Sequence, residues 1–214
     1  MAFYCLDTFG LYQKALTGTK LPTTQYMSVD PVAQGLYAAK CSACDSYLEG
    51  FHWKPPYRVD LELRAGVFGD IAFGPHIDIL ISDAFRNIFH QERMTGCSMP
   101  TKVEVRRVKK RGKPPGNPPD YYLTRVQLSN VRIDVAASGI RRDEAICPEC
   151  LTGGILDGYD RIIVEPDSWT GEDIFIAKGL TGTIICSQRF YDVVARYELQ
   201  NVPLLEAELC KCQF

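Results

Sequence analysis

The chain has 214 residues, of which 46% are apolar and 23% are charged, and its net charge is −2. This composition is typical of a folded globular protein and excludes a disordered, collagen-like or coiled-coil chain. No global charge draws the protein to nucleic acid or to an anionic membrane. The apolar runs are shorter than the roughly 18 residues of a membrane span, and no secretory signal pattern is present. We therefore expect a cytoplasmic protein of one or two domains with no membrane partner.

The first half of the chain is predicted to form a β-β-α-β unit behind a CxxC motif. Strands are expected at 57–63, 70–73, 79–82 and 101–108, with a helix at 83–90. Ser82 is a good N-cap for that helix, because its hydroxyl can accept a hydrogen bond from the first turn. Ala84, Phe85, Ile88 and Phe89 then follow at helical spacing.

The middle of the chain is basic and rich in proline. The basic stretch 106–113 leads into Pro-Pro-Gly-Asn-Pro-Pro, so we predict a linker or hairpin tip over 111–120. Strands near 102–110 and 121–128 could form a long hairpin around it. A nucleic-acid surface is an alternative to a solvated tip, but no aromatic residue is interleaved with these charges. Nucleic acid is therefore not the expected partner.

The second half repeats the features of the first about 105 residues later. It contains a second CxxC motif, a short strand at 161–164, an Asp-Ile strand, an apolar run ending in Ser187, a helix at 188–197 and a strand at 202–209. Chance similarity of two ordinary stretches is the simpler alternative, but the matching of all these features favours a duplication. The predicted fold class is α+β, with two pseudo-symmetric repeats at 1–110 and 121–214 in one compact body.

Nine cysteines are the unusual feature of the composition. Their odd number prevents complete pairing within one chain, and spaced cysteines in a reducing compartment are more often metal ligands than disulfides. Two CxxC motifs are formed by Cys41, Cys44, Cys147 and Cys150. Cys97 and Cys186 lie among apolar residues, where buried thiols are common. The CxC formed by Cys210 and Cys212 could bind metal, but we expect an exposed or partly ordered tail there. We assign no role to Cys5.

Two CxxC turns can complete a tetrahedral site of four thiolates, which leaves no position open for water or substrate. Zinc suits such soft ligands. We therefore predict one structural zinc ion, held by both motifs in a zinc-ribbon-like site that clamps the two repeats together. A redox-active CxxC pair is the main alternative, and motifs that bind nothing are a third.

No catalytic constellation is recognisable in the sequence. The three histidines, His52, His76 and His90, do not form a metalloprotease motif, and no phosphate-binding or nucleophile motif is present. His52 lies between Phe51 and Trp53, which favours a role in aromatic packing. We therefore expect a protein that is not an enzyme.

An acidic stretch extends from Asp143 to Asp173 and is opposed only by Arg161. It is either a solvated surface or a docking surface for a basic partner, for which complementary charge would speed association. Trp169 lies within it as a candidate interface anchor or a lid on the core. The candidate partner-binding residues are Asp157, Asp160, Glu165, Asp167, Trp169, Glu172 and Asp173.

The paired CxxC motifs, the Asp-Ile-Phe strand and the tract from Gly179 to Phe190 resemble the double-CXXCG proteins of myxobacteria. The resemblance extends from Gly35 to Leu209, although Asp45 and Leu151 stand where that family has the glycine after each CxxC. It implies an immunity protein that binds a cognate toxin, such as a nuclease, and neutralises it by occlusion. The alternatives are a thiol-disulfide oxidoreductase and a nucleic-acid-binding zinc ribbon.

Overall fold

The computed structural model describes residues 2–6, 24–29, 36–64, 66–75, 77–110 and 116–213. Part of the predicted linker (111–115) and His76 lie outside these ranges. The described strands are β1 (Phe3–Leu6), β2 (Thr24–Ser28), β3 (Leu36–Tyr37), β4 (His52–Trp53), β5 (Arg58–Leu63), β6 (Ile71–Ala72), β7 (Ile79–Ser82), β8 (Thr101–Lys102), β9 (Glu104–Lys109), β10 (Tyr121–Thr124), β11 (Leu128–Arg132), β12 (Arg141–Arg142), β13 (Leu156–Tyr159), β14 (Ile174–Lys178), β15 (Ile184–Ser187), β16 (Leu204–Glu206) and β17 (Cys212–Gln213). The described α-helices are α1 (Asp83–Gln91) and α2 (Gln188–Arg196), so the protein is of mixed α+β class.

Two sheets carry the helices. One has the order β6-β7-β10-β8, and the other has the order β11-β14-β15-β1-β16. Helix α1 packs against β7 and β10, and α2 packs against β15 and β1. Strand β10 is antiparallel to β7 and β8, and β1 is antiparallel to β15 and β16. The strand before each helix is therefore paired in antiparallel with a strand from elsewhere in the chain.

Both helices begin at the predicted serine. Ser82 Oγ accepts a hydrogen bond from the amide of Phe85 at 3.1 Å, and Ser187 Oγ accepts one from the amide of Phe190 at 3.2 Å. The capped amides are among those that a helix leaves without an intrahelical partner. The rings of Phe85 and Phe190 meet edge to face at a centroid distance of 6.2 Å. The two helices therefore contact each other in the core through the third residue of each helix.

The Asp-Ile strands contribute a second pair of contacts between the halves. Asp70 accepts a hydrogen bond from the amide of Gln200 at 2.8 Å, and Asp173 accepts one from the amide of Thr95 at 2.9 Å. In both cases the amide belongs to the loop after the helix of the other half. Asp173 is 2% exposed and also bonds the guanidinium of Arg189 at 2.8 Å. The half-buried Asp70 and the buried Asp173 therefore stabilise the packing of one half on the other.

Pairing differs from the sequence prediction around the proline-rich segment. The base of the expected hairpin forms, because Tyr122 of β10 is opposite Lys102 of β8. Strand β9 leaves this hairpin and pairs in parallel with β5 instead, since its Val105 and Val108 pack on the core beneath β5. The prediction of a long hairpin is therefore wrong beyond the base of the hairpin. Residues 161–164 form no strand apart from one bridge between Ile133 and Val164.

Candidate metal centre

The two CxxC motifs fold into the same backbone turn. The amide of Asp45 donates to the carbonyl of Cys41 at 2.9 Å, and the amide of Leu151 donates to that of Cys147 at 2.9 Å. The residue after each motif has a left-handed backbone, with φ of 59° for Asp45 and 58° for Leu151. Glycine is the residue that adopts this conformation without steric cost. The positions where the resembled family has glycine therefore keep the glycine conformation here.

The four sulfur atoms of the two turns meet in one cluster. The Sγ atoms of Cys41, Cys44, Cys147 and Cys150 lie within 4.8 Å of one another, and those of Cys44 and Cys150 are 3.6 Å apart. Ligand sulfurs at 2.3 Å from a tetrahedral zinc ion are about 3.8 Å apart. The cluster therefore has the spacing, the ligand number and the soft donor atoms that a structural zinc site requires.

The thiols differ in their surroundings. Cys44 is exposed, whereas Cys150 is only 2% exposed. Hydrogen bonds from the hydroxyl and the amide of Ser46 lower the pKa of the Cys44 thiol to about 6, because they stabilise the thiolate. Burial raises the pKa of the Cys150 thiol to about 11, although Thr152 Oγ1 lies 2.8 Å from its sulfur. A metal ion binds the thiolate form of cysteine. Because the pKa of Cys150 is the higher of the two, Cys150 depends more on a bound ion to lose its proton.

The second turn is supported from behind by a half-buried arginine. The Arg142 guanidinium donates to the carbonyl of Gly179 at 2.9 Å, and burial lowers its pKa although the nearby Cys150 opposes this. Its positive charge offsets part of the negative charge of a four-thiolate cluster. The backbone just after this turn passes close to residue 145. A Cβ at Gly153 would lie 2.2 Å from the carbonyl oxygen of Ala145, so glycine is required there.

A buried charge cluster attaches the first turn to the body of the protein. His52 Nδ1 lies 2.6 Å from Asp78 Oδ1, and its Nε2 lies 3.1 Å from Glu49 Oε2. Arg125 adds a second positive charge, with its Nε 3.3 Å from Asp78 Oδ1. Burial lowers the pKa of His52, but the two carboxylates outweigh burial and raise it overall. The sequence prediction for His52 was aromatic packing, and the ring of Tyr37 does lie beside the imidazole. The prediction did not include the charged neighbours of His52.

The candidate partner-binding residues fall into two groups. Asp157 and Asp167 are exposed, and Asp160 is exposed beside Arg141 at 2.9 Å. Glu165 is half-buried and pairs with Arg132 at 3.1 Å. The remaining residues face inward: Asp173 is buried, Glu172 accepts a hydrogen bond from Ser129 Oγ at 2.6 Å, and Trp169 packs edge to face on Phe3. The structure therefore places some of this acidic stretch on the surface and uses the rest inside the fold.

A mixed α+β protein with a closed four-cysteine cluster belongs to the class of small proteins that a metal site can hold together. The sequence profile of the Immunity protein family (Imm11) matches residues 79–208, more than half of the chain. The chain belongs to this family. The matched residues include both helices and the second CxxC turn, whereas the first turn lies outside them. Among curated proteins, no relative of this chain was found. No helix of the described residues is long and apolar enough to cross a membrane.

Proposed function

We propose that this protein is an immunity protein that binds one cognate toxin and neutralises it by covering the toxin's active surface. The match to the Immunity protein family (Imm11) carries the proposal. Membership suggests a non-enzymatic inhibitor whose partner is a toxin. The left-handed residue after each CxxC motif also supports the closer resemblance to the double-CXXCG proteins, because glycine favours that conformation.

The metal centre has a structural role in this proposal. One zinc ion would be held by Cys41, Cys44, Cys147 and Cys150, whose sulfurs lie close enough together for it. The bound ion would supply a covalent-like link between segments about 100 residues apart and would leave no open position for chemistry. Cys41 and Cys147 are each less than 10% exposed, so the link would be largely protected from competing ligands.

We infer that the two halves, proposed as 1–110 and 121–214 with the linker 111–120, arose by duplication. The two cysteine turns, the two serine caps and the reciprocal bonds of Asp70 and Asp173 support this inference. Strands β1 and β10 would then be equivalent, because each adds antiparallel to the strand that precedes a helix. The shared zinc ion would lie where the two equivalent turns meet.

The acidic stretch is the proposed toxin-binding surface. Its exposed carboxylates, Asp157 and Asp167 among them, suit a basic partner such as the substrate cleft of a nuclease. The inward-facing Glu172, Asp173 and Trp169 would act by holding the loop in place. Rim charges of this kind mainly change the association rate and its salt dependence.

Coexpression with candidate toxin domains encoded by neighbouring genes tests the proposal. We expect the wild-type protein to bind the toxin and restore growth, and the double variant Asp157→Lys/Asp167→Lys to bind at least 10-fold more weakly. Glu104→Lys/Asp192→Lys, which changes two exposed residues outside the acidic stretch, is the matched control, because both double variants change the net charge by the same amount. Absence of binding and protection by the wild-type protein would overturn the function. Binding that the double variant leaves unchanged would overturn only the surface.

A further inference from the structure

A cavity of about 410 Å³ lies between α1, β7 and the segment that follows α1. Its volume is within the range of about 300 to 1,000 Å³ that is usual for small-molecule sites. The apolar side chains of Ile79, Ile81, Phe85 and Phe89 form much of its wall. The four cysteines of the candidate metal centre do not line it, so the cavity is a separate feature of the molecule.

Basic side chains surround one side of this cavity. Arg86, His90 and Arg93 all line it. Arg86 and His90 are four residues apart and share one face of α1, and Arg93 lies just beyond the end of that helix. No aspartate or glutamate is among the lining residues. In the described part of the chain, none of the three forms an ion pair, whereas Arg189 and Arg196 of α2 both do. The Arg86 guanidinium lies over the ring of Tyr122, 4.1 Å from its centroid. Within the described residues, the two guanidinium groups and the imidazole have no carboxylate partner, which leaves a site for an external anion.

The basic residues that line the cavity are not repeated at the corresponding positions of the second half. At the 105-residue spacing that relates the two helices, Arg86 corresponds to Tyr191, and Arg93 corresponds to Glu198. The ring of Tyr191 stacks on Tyr4 at a centroid distance of 4.3 Å. The basic face is therefore not a requirement of the helix-on-sheet packing, which α2 achieves without it.

We propose that the cavity binds a small organic anion, with its apolar chain or ring inside and its carboxylate at Arg86, His90 and Arg93. The apolar wall removes the chain or ring from water, which is the main driving force for binding in such a pocket. Guanidinium groups bind carboxylates through short, charge-assisted hydrogen bonds. This inference concerns a site other than the metal centre and does not depend on the identity of the toxin.

Calorimetry with the full-length, zinc-loaded protein tests the chemical class of the ligand. The probes are dodecanoate below its micelle concentration, dodecanol, dodecyltrimethylammonium and 2-naphthoate. We expect dodecanoate or 2-naphthoate to bind at one site at least 10-fold more tightly than the neutral and cationic probes. The comparison of the two acids distinguishes a chain from a ring. Equal affinities for the anionic, neutral and cationic probes, or no binding at all, would overturn the proposal.

The methionines report where the probe binds. Met94 and Met99 line the cavity, whereas Met27 is exposed on β2 and does not. With 13C-labelled methionine methyl groups, the bound acid is expected to shift the resonances of Met94 and Met99 and to leave that of Met27 in place. A shift of all three would indicate coating of the surface by the amphiphile and would contradict a site in the cavity.

A matched pair of variants tests the charge. Arg93→Glu is expected to weaken binding of the acid at least 10-fold, and Arg161→Glu to leave it within 2-fold. Arg161 is exposed, does not line the cavity and gives the same change of net charge. Both variants are first compared with the wild type by thermal unfolding. Equal affinities of the two folded variants would exclude the basic side chain as the anion site.

Discussion

The two CxxC turns have the same backbone and opposite surroundings. In the first turn, Cys44 is exposed and Asp45 reaches out to Lys40, 2.7 Å away, in an ion pair at the surface. In the second turn, Cys150 is 2% exposed and Leu151 is 7% exposed. The shared backbone serves the geometry of four sulfur ligands, which any metal site of this type needs. The second turn is therefore part of the core, whereas the first closes over it from outside.

The largest expected effect is the loss of a buried ligand. Cys150→Ser should abolish stoichiometric zinc binding and lower the free energy of unfolding by about 3 kcal/mol or more, because the protein then loses the link that the ion provides between the two turns. Cys44→Ser should lose zinc affinity but less stability, since water can solvate its exposed position. Metal analysis of the purified proteins and urea unfolding provide the two measurements.

Chelation gives the control for this pair. Removal of zinc from the wild-type protein should reproduce most of the loss seen in Cys150→Ser, and chelation should not destabilise that variant further. A metal-free wild-type protein of undiminished stability would contradict a structural zinc ion. If it also reduced insulin disulfides, the result would favour the oxidoreductase alternative instead.

A smaller effect, of opposite sign in the two turns, is expected for glycine after each CxxC motif. Asp45→Gly should raise the free energy of unfolding by up to about 1 kcal/mol, because it relieves a left-handed non-glycine residue at the surface. Leu151→Gly should lower it by about 1 to 2 kcal/mol, since the loss of a buried leucine exceeds the same relief. Urea unfolding of both variants with zinc in excess measures the difference. The same sign in both would mean that burial of the second turn is unimportant.

The serine caps extend the comparison to the two helices. Ser82→Ala and Ser187→Ala should each cost about 1 kcal/mol through the lost cap. Ser82 should cost more, because its Oγ also donates to Asp70 at 2.7 Å, whereas Ser187 Oγ lies 3.4 Å from Asp173. Chemical denaturation of the two variants tests this order. An equal cost would show that the hydroxyl-to-aspartate bond adds nothing to the cap.

The smallest expected effect is a pH dependence that only the first turn should show. The pKa of His52 is raised in the folded protein, so its stabilising contribution is complete below the unfolded value of about 6.5. That contribution is lost as the pH rises through the folded pKa. The stability difference between the wild type and His52→Gln should therefore shrink from pH 6 to pH 9, with zinc saturating throughout. A difference that stayed constant or grew with pH would contradict a charged His52 between Asp78 and Glu49.

Local features were predictable from the sequence, and long-range pairings were not. Helix α1 was expected at 83–90 and is observed at 83–91, because the cap and the helical spacing lie within a few residues. Strand β9 was expected to pair with β10 and pairs with β5 instead. Both β10 and β5 could accept β9 as a neighbour, and only the packing of the whole chain decides between them.

Local patterns in the sequence indicated the two cysteine turns, the helix starts and the relation to immunity proteins. Each depends on residue types at short spacing, where hydrogen bonds are satisfied within a single turn of the chain. Only the folded chain shows which thiol is buried, which carboxylates hold His52, and where a cavity remains beside basic groups that have no carboxylate partner among the described residues. Burial and electrostatic environment depend on segments far apart in the chain, so no local pattern of residues could reveal them.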